Sequence, residues 1–366
     1  MKTFSLLFGV FMANREEIIS LLEKLSNAFG PPGFEDEVRE IVKEELEGVT
    51  SDIRVDALGN LIAYKKGSEE YPVVMLDAHM DEVGFLITHI DRRGFLRFQP
   101  LGGFDERVLY AQQVVIRTKN GDKILGFIGA KAPHLLKPEE RSKVLGIDEL
   151  FIDIGATSEE EAREMGVEIG SVGTFATKFA RLSGNRVMGK AFDDRVGLTV
   201  MITAMKMLKD TNYNVIGVAS VQEEVGLRGA RTAAWQATPD LALALEGTAA
   251  ADIPGTPEYK ESTAMGKGPA ITIADRSIIA HPKIVKLLVN AAEENNIPYQ
   301  FKRVIAGGTD AGVIHLTKGG VPAGVVSVPC RYIHGPAAFL DLRDLENTIK
   351  LVVAFVRKAS EEFKKE

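Results

Sequence analysis

Pro72-Val73-Val74-Met75-Leu76-Asp77-Ala78-His79-Met80-Asp81 reads as one buried strand that ends on polar chemistry. Its apolar run is not interrupted by alternating polar residues, the pattern of a strand covered on both faces in a parallel sheet. His79 and Asp81 then stand at or just beyond the strand's carboxyl end. The same grammar returns three times. Asn214 to Gln222 runs into Glu223-Glu224, Leu241 to Leu245 runs into Glu246, and Val321 to Val328 is followed by Pro329 and then His334. Open α/β sheets bind ligands outside the carboxyl ends of their strands, so the four endings predict one crevice.

Upstream of this stretch, Asn14 to Asn27 carries Ile18, Ile19, Leu21, Leu22 and Leu25 with charges between them, an amphipathic helix ended by Gly30-Pro31-Pro32-Gly33. A second helix is expected from about Glu35 to Leu46, then a strand pair around Ile53 to Tyr64 with a Gly59-Asn60 turn. Downstream, from about Phe85 to Lys178, the texture changes to short runs broken by turn residues. Leu86–Ile90, Phe95–Phe98, Gln113–Arg117 and Ile124–Ile128 read as strands, with a hairpin at Lys119-Asn120-Gly121-Asp122 and one helix near Ser158 to Met165. After Gly184 the α/β texture resumes, with helices at Arg195–Leu208, Ala280–Asn295 and Leu342–Lys365. The expected fold class is α/β, a mixed, mostly parallel sheet flanked by helices. Residues 1–85 and 178–366 form that unit, and 86–177 form a small all-β domain inserted into it.

A chain of 366 residues with 45% apolar content can build such a core, and its net charge of −7 argues against a nucleic-acid partner, which wants a basic face. The single cysteine, Cys330, excludes an intramolecular disulfide and fits a reducing cytoplasm. Residues 1 to 13 imitate a short signal peptide, but the n-region has one lysine and the small-residue cleavage pattern is missing. Met12 is the expected natural start, with residues 1–11 an upstream extension. No apolar run is long enough to span a membrane.

Six side chains carry the chemistry. His79, Asp193, Glu224, Glu246 and His334 offer the imidazole and carboxylate ligands that a pair of divalent ions needs, and Glu223 is left over as a base. Zinc or cobalt suits these ligands, and manganese also accepts them. Asp193 and Asp194 precede a helix, so an N-cap is the competing reading of that pair. Glu223 and Glu224 would repel each other without compensation, and on a regular strand they would face opposite ways, so the backbone must bend there. Asp81 could tune His79 from behind, as metal-bound imidazoles often require, or be an exposed loop acid. His334 alone could be an ordinary loop histidine.

The windows Asp77–Gly84, Ala191–Arg195, Glu223–Gly226, Gly307–Ala311 and Arg331–His334 together closely resemble the tetrahedral (TET) metalloaminopeptidases, in order along nearly the whole chain. The resemblance implies a metal-dependent aminopeptidase that removes N-terminal residues from short peptides. It implies that His79, Asp193 and Glu246 bind one cation while Asp193, Glu224 and His334 bind the other, Asp193 bridging. Glu223 would then be the general base and acid; Asp81 joins it as a catalytic candidate only through the residue reading above, as the carboxylate that tunes His79. The resemblance also implies that 86–177 is a PDZ-like dimerisation module and that dimers build a hollow dodecamer. Two positions depart from the common pattern: Glu246 stands where many members have Asp, and Gly335 follows the ligand histidine where Ser is usual.

Other readings are weaker. Gly184 to Ala191 spells most of a phosphate-binding loop but lacks the hydroxyl residue that reaches magnesium. A dinuclear carboxypeptidase or N-deacylase would need an arginine clamp, for which Arg195 or Arg331 is available. A glycosidase would need two acids facing each other across a sugar, and sequence neighbours suit that poorly. Cys330 is expected to be a small buried residue just after a strand, and His89, His134, His281 and His315 are expected outside the site.

Overall fold

The computed structural model describes residues 14–135, 137–138 and 143–364. The expectations about residues 1–11 and the Met12 start lie outside them. Asn14 caps α1 (Arg15–Asn27) by accepting from the Glu16 amide, and α1 buries the apolar face that its spacing predicts. Next come α2 (Asp36–Leu46), β1 (Ile53–Val55), β2 (Leu61–Lys65) and β3 (Val73–His79). The chain then enters a closed antiparallel barrel made of β4 (Gly84–Ile90), β5 (Leu96–Leu101), β6 (Gln113–Arg117), β7 (Lys123–Gly129), β8 (Phe151–Asp153) and β9 (Val172–Phe175), with α3 (Glu159–Glu164) between β8 and β9. The barrel has its own core, in which Phe85 packs against Phe98, Phe104 and Phe175.

Leaving the barrel, the chain forms β10 (Ala180–Arg181), β11 (Arg186–Gly189), α4 (Phe192–Leu208), β12 (Asn214–Ser220), α5 (Arg228–Ala237) and β13 (Leu241–Ala249). It closes with β14 (Ala270–Thr272), α6 (Pro282–Glu294), β15 (Gln300–Lys302), α7 (Ala311–Ile314), β16 (Ala323–Arg331), β17 (Ala338–Asp341) and α8 (Leu342–Glu362). The main sheet runs β1-β2-β12-β3-β13-β16-β17-β11-β10, with β14 and β15 branching from β16. Its centre, β12-β3-β13-β16, is parallel, and the flanking strands are antiparallel. This is the expected fold class, a mixed and mostly parallel sheet between helices with a separate small β unit.

Both faces of the central strands are covered, with the period of two that a strand imposes. Val74, Leu76, Leu243 and Leu245 point toward α1, α2, α4, α6 and α8, whereas Met75, Ala242 and Ala244 pack on α5 and α7. The alanines on that second face match the small residues Ala230, Ala233, Ala234 and Ala237 of α5.

Two details differ from expectation. The strand that approaches His334 continues through Pro329 and Cys330 to Arg331, so Cys330 lies inside it, buried. Pro329 is tolerated because β16 changes neighbour around it: β14 pairs up to Ser327 and β17 from Cys330. The closing helix ends at Glu362, with Phe363 already non-helical.

Candidate metal centre

Each of the seven sequence-derived site residues arrives at the carboxyl side of the parallel strands. His79 is the last residue of β3, and Nδ1 is 3.0 Å from the Asp81 backbone oxygen. That bond places the proton on Nδ1 and leaves the Nε2 lone pair facing acids. Nε2 lies 3.3 Å from Asp193 Oδ1 and 3.8 Å from both Glu223 Oε2 and Glu246 Oε2. On the other side, His334 Nε2 is 3.2 Å from Asp193 Oδ2 and 3.5 Å from Glu224 Oε1. One carboxylate therefore offers each oxygen to a different imidazole.

The local sequence explains these directions. Ala191 takes a left-handed turn (φ 56°), and Asp193 and Asp194 have non-helical backbone angles at the start of α4. Asp194 is the residue that caps: Oδ1 accepts from the Gly197 amide at 2.9 Å, and Oδ2 accepts from the His79 amide at 3.1 Å. The N-cap reading thus belongs to Asp194, and Asp193 is free to face the imidazoles. The bend required of Glu223-Glu224 is present, since β12 stops at Ser220 and Gln222 takes φ 57°. His334 also sits in the left-handed region, and Nδ1 is 3.1 Å from the backbone oxygen of Gly103. Gly103 follows β5 of the barrel, so the barrel orients a residue of the main site.

Asp81 is fully buried, which removes the exposed-acid reading. Its carboxylate lies 3.5 Å from His79 Nδ1, but its shorter bonds go to the Glu223 and Glu224 amides at 2.9 and 3.0 Å. It organises the glutamates more than the imidazole. Sequence reasoning missed Glu82, a buried acid held by Lys190, Arg195, Thr174 and the Gly30 amide. Its only signal was a third acid beside His79. Asp310, expected from sequence only as part of the site's wall, pairs with Asp77 behind His79, a partner the sequence did not reveal; both acids are buried and Ser220 donates to Asp310 at 2.7 Å.

Charge is the problem this cluster must solve. Burial pushes the carboxyls of Glu223 and Glu246 well above the carboxylate range, and raises Glu224 to about 7. Burial opposes a charged His334, yet Asp193 and the glutamates carry it to about 10, and His79 is likewise held well above its ordinary value. Burial would raise Asp193 too, but both imidazoles hold it below the usual range. Buried acids that take up protons in this way are ligands short of positive charge, which divalent cations supply. Asp193, Glu224 and His334 each bring a ligand atom within 4.8 Å of the others, as do His79, Glu223 and Glu224, and His79, Asp194 and Glu246. The donor set, two imidazole nitrogens among carboxylate oxygens, fits zinc-like cations.

Asp193, Glu223, Glu224, Glu246 and His334 line one side of a cavity of about 720 Å³ whose wall continues through Thr248, Ala249, Lys260, Lys302 and Gly307 to Thr309. Neither arginine considered as a substrate clamp reaches it. Arg195 is fully buried against the Leu25 carbonyl and Glu82, and Arg331 is paired to Asp252 at 2.9 and 2.5 Å.

Residues 59–351 match the family model described as M42 glutamyl aminopeptidase. An aminopeptidase from the archaeon Desulfurococcus kamchatkensis superposes with a TM-score of 0.91 at 45% identity, over 95% of this chain and 97% of that one. The lysyl aminopeptidase of Pyrococcus furiosus is 37% identical over 92% of this chain and 96% of its own. The TET1 peptidase of Pyrococcus horikoshii, described as assembling into a tetrahedron or a large octahedral shell, has a TM-score of 0.82 at 37% identity, covering 92% and 98%.

Proposed function

The chain belongs to the M42 glutamyl aminopeptidase family, and from that membership we propose how its acid cluster works and on what. It is a metal-dependent aminopeptidase, a hydrolase of peptide bonds. Two divalent cations, zinc or cobalt with manganese also acceptable, are held by His79, Asp193 and Glu246 on one side and Asp193, Glu224 and His334 on the other. The observation that carries this reading is the placement of the two Asp193 oxygens at 3.3 and 3.2 Å from the two imidazoles. When bound, such cations supply Lewis acidity toward the scissile carbonyl and lower the pKa of water. The chain's residues do the rest. Glu223, ionised once the cations offset the surrounding acids, would take a proton from the attacking water at its carboxylate and return it to the departing amide nitrogen. Asp81 fixes the turn from which Glu223 projects.

The free α-amino group of the peptide faces an acid-rich site that has no arginine on its wall among the described residues, which disfavours a carboxypeptidase or N-deacylase. A glycosidase is disfavoured because Glu223 and Glu224 leave one turn and face different histidines instead of each other across a groove. Lys260 and Lys302 add positive charge to the cavity wall, which favours an acidic first side chain and agrees with the family's description. The inserted β domain, residues 86–177, serves as the dimerisation domain of a homo-oligomer, a dodecamer built from dimers, by likeness to a TET1 structure described as a dodecamer. No helix among the described residues is long and apolar enough to cross a membrane, and the buried lone cysteine suits a cytoplasmic setting.

One set of assays tests this reading. A peptide beginning with Glu should be cleaved, its N-acetylated form should not, and a peptide beginning with Lys should be cleaved more slowly. Glu223→Gln should retain its metals and lose on the order of 10²–10⁴ in turnover. Cleavage of the acetylated peptide, or a Gln variant with near-normal rates, would refute the respective assignment.

A further inference from the structure

The turn that carries Glu223 and Glu224 presents four consecutive backbone amides, and side chains from distant elements accept all four. Val221 donates to Asn60 Oδ1 at 3.0 Å, Gln222 to Glu35 Oε1 at 3.2 Å, and Glu223 and Glu224 to the two oxygens of Asp81. Successive amides that converge on one side of a bent backbone form an anion-binding concavity. Here the Glu35 and Asp81 carboxylates and the Asn60 amide oxygen fill it.

Glu35 is the unexpected member. It occupies the N-cap position of α2 but makes no side-chain bond to that helix. Its carboxylate turns away instead, to the Gly33 amide at 2.7 Å and the Gln222 amide. Only 3% of the residue is exposed, and burying an acid costs free energy unless its bonds recover it. Gln222 is the residue that bends, with φ 57°, a conformation uncommon for a residue other than glycine. Without that bend Glu223 and Glu224 would leave the chain toward opposite faces. With it, Glu223 Oε2 stands 3.8 Å from His79 Nε2 and Glu224 Oε1 stands 3.5 Å from His334 Nε2.

We propose that Glu35 is a positioning residue for Glu223, holding the Gln222 amide so that the left-handed bend aims the proton-carrying glutamate at the reacting centre. The inference rests on the reading of Glu223 as proton carrier. The requirement is for an acceptor oxygen at this place and not for a charge. Burial with the neighbouring Asp81 charge raises the Glu35 carboxyl to about 7, so its neutral form is already accessible.

The test compares Glu35→Ala, Glu35→Gln and Glu223→Gln in the metal-loaded, full-length protein, reading kcat, KM, bound metal and thermal midpoint. Glu35→Ala should lose kcat on the order of ten- to a hundredfold, as misplacement of a catalytic group does, with KM and bound metal close to those of the unaltered protein. Glu35→Gln, which keeps an acceptor oxygen, should recover most of that loss. Unchanged kcat in Glu35→Ala, equal impairment in both Glu35 variants, or a fall in kcat matched by lost metal would overturn the proposal. Should Glu35→Ala not fold, Glu35→Gln carries the test: near-normal turnover supports the proposal, and loss as deep as that of Glu223→Gln ends it. Failure of the underlying reading looks different, because Glu223→Gln itself would then stay active.

Discussion

Asp193 lies between two imidazoles and is surrounded by acids that burial drives toward their neutral forms, so in the cation-free protein the cluster holds protons that cations would displace. The sign of the pH dependence follows. Glu224 is raised from 4.5 to about 7, so the stability it contributes is full below 4.5 and lost as pH rises through about 7. His334 is raised from 6.5 to about 10, so its contribution is full below 6.5 and lost as pH rises through about 10. Across this window the folded state binds more protons than the unfolded chain, and stability declines with rising pH. The thermal midpoint of metal-free protein should fall between about pH 6 and about pH 9, and saturating zinc should flatten the slope. A metal-free midpoint that rises over that interval would contradict this proton balance. At this scale the sequence revealed residue types better than their jobs. His79, Glu246 and Glu223-Glu224 were visible because polar groups end apolar strands, but composition and spacing do not separate Asp193 from Asp194; only the family resemblance of Ala191–Arg195 singled out Asp193. The division comes from backbone angles that give one the amides of Gly197 and His79 and the other the imidazoles.

Helix α4 shows how close packing turns an element into a support for the site. A Cβ on Gly197 would stand 2.3 Å from the Leu245 carbonyl oxygen and 2.3 Å from Asp194 Oδ2, so only glycine lets the helix lie against β13, the strand that carries Glu246. Gly197→Ala should therefore destabilise the metal-free protein by about 1–3 kcal/mol in chemical denaturation, as overpacking generally does, and weaken metal retention because Glu246 must shift with β13. A variant as stable as the parent would show that the helix can move away freely. The long central strands were legible because burial on both faces leaves an uninterrupted apolar run. The strands β10, β14, β15 and β17 were not, since pieces of two to four residues have no period to read. The barrel strands β8 and β9 were hidden for the same reason. Glu35 escaped because an acid at the start of a helix already has an ordinary explanation.

The main sheet and the barrel are tied through buried charge and through the site itself. Glu82, just after β3, meets Lys190 and Arg195 of the main α/β unit and Thr174 of the barrel, and the barrel's Gly103 carbonyl orients His334. Arg117 and Lys123 of the barrel pair with Asp36 and Glu37 of α2. On the barrel's outer side, Leu125 and Phe127 of β7 share a face and are 68% and 46% exposed, an apolar surface suited to a second copy. Light scattering should find a particle near twelve chain masses, and Leu125→Asp combined with Phe127→Asp should reduce it to smaller species while leaving the fold intact. A double variant that keeps the full mass would remove the barrel from the interface. The proposed mechanism would have two cations share Asp193, and anomalous diffraction at the zinc edge from crystals of the zinc-loaded protein tests that most directly. Two peaks are predicted per chain, one among His79, Asp193 and Glu246 and one among Asp193, Glu224 and His334. A single peak, or peaks that leave Asp193 out of contact with either ion, would contradict it.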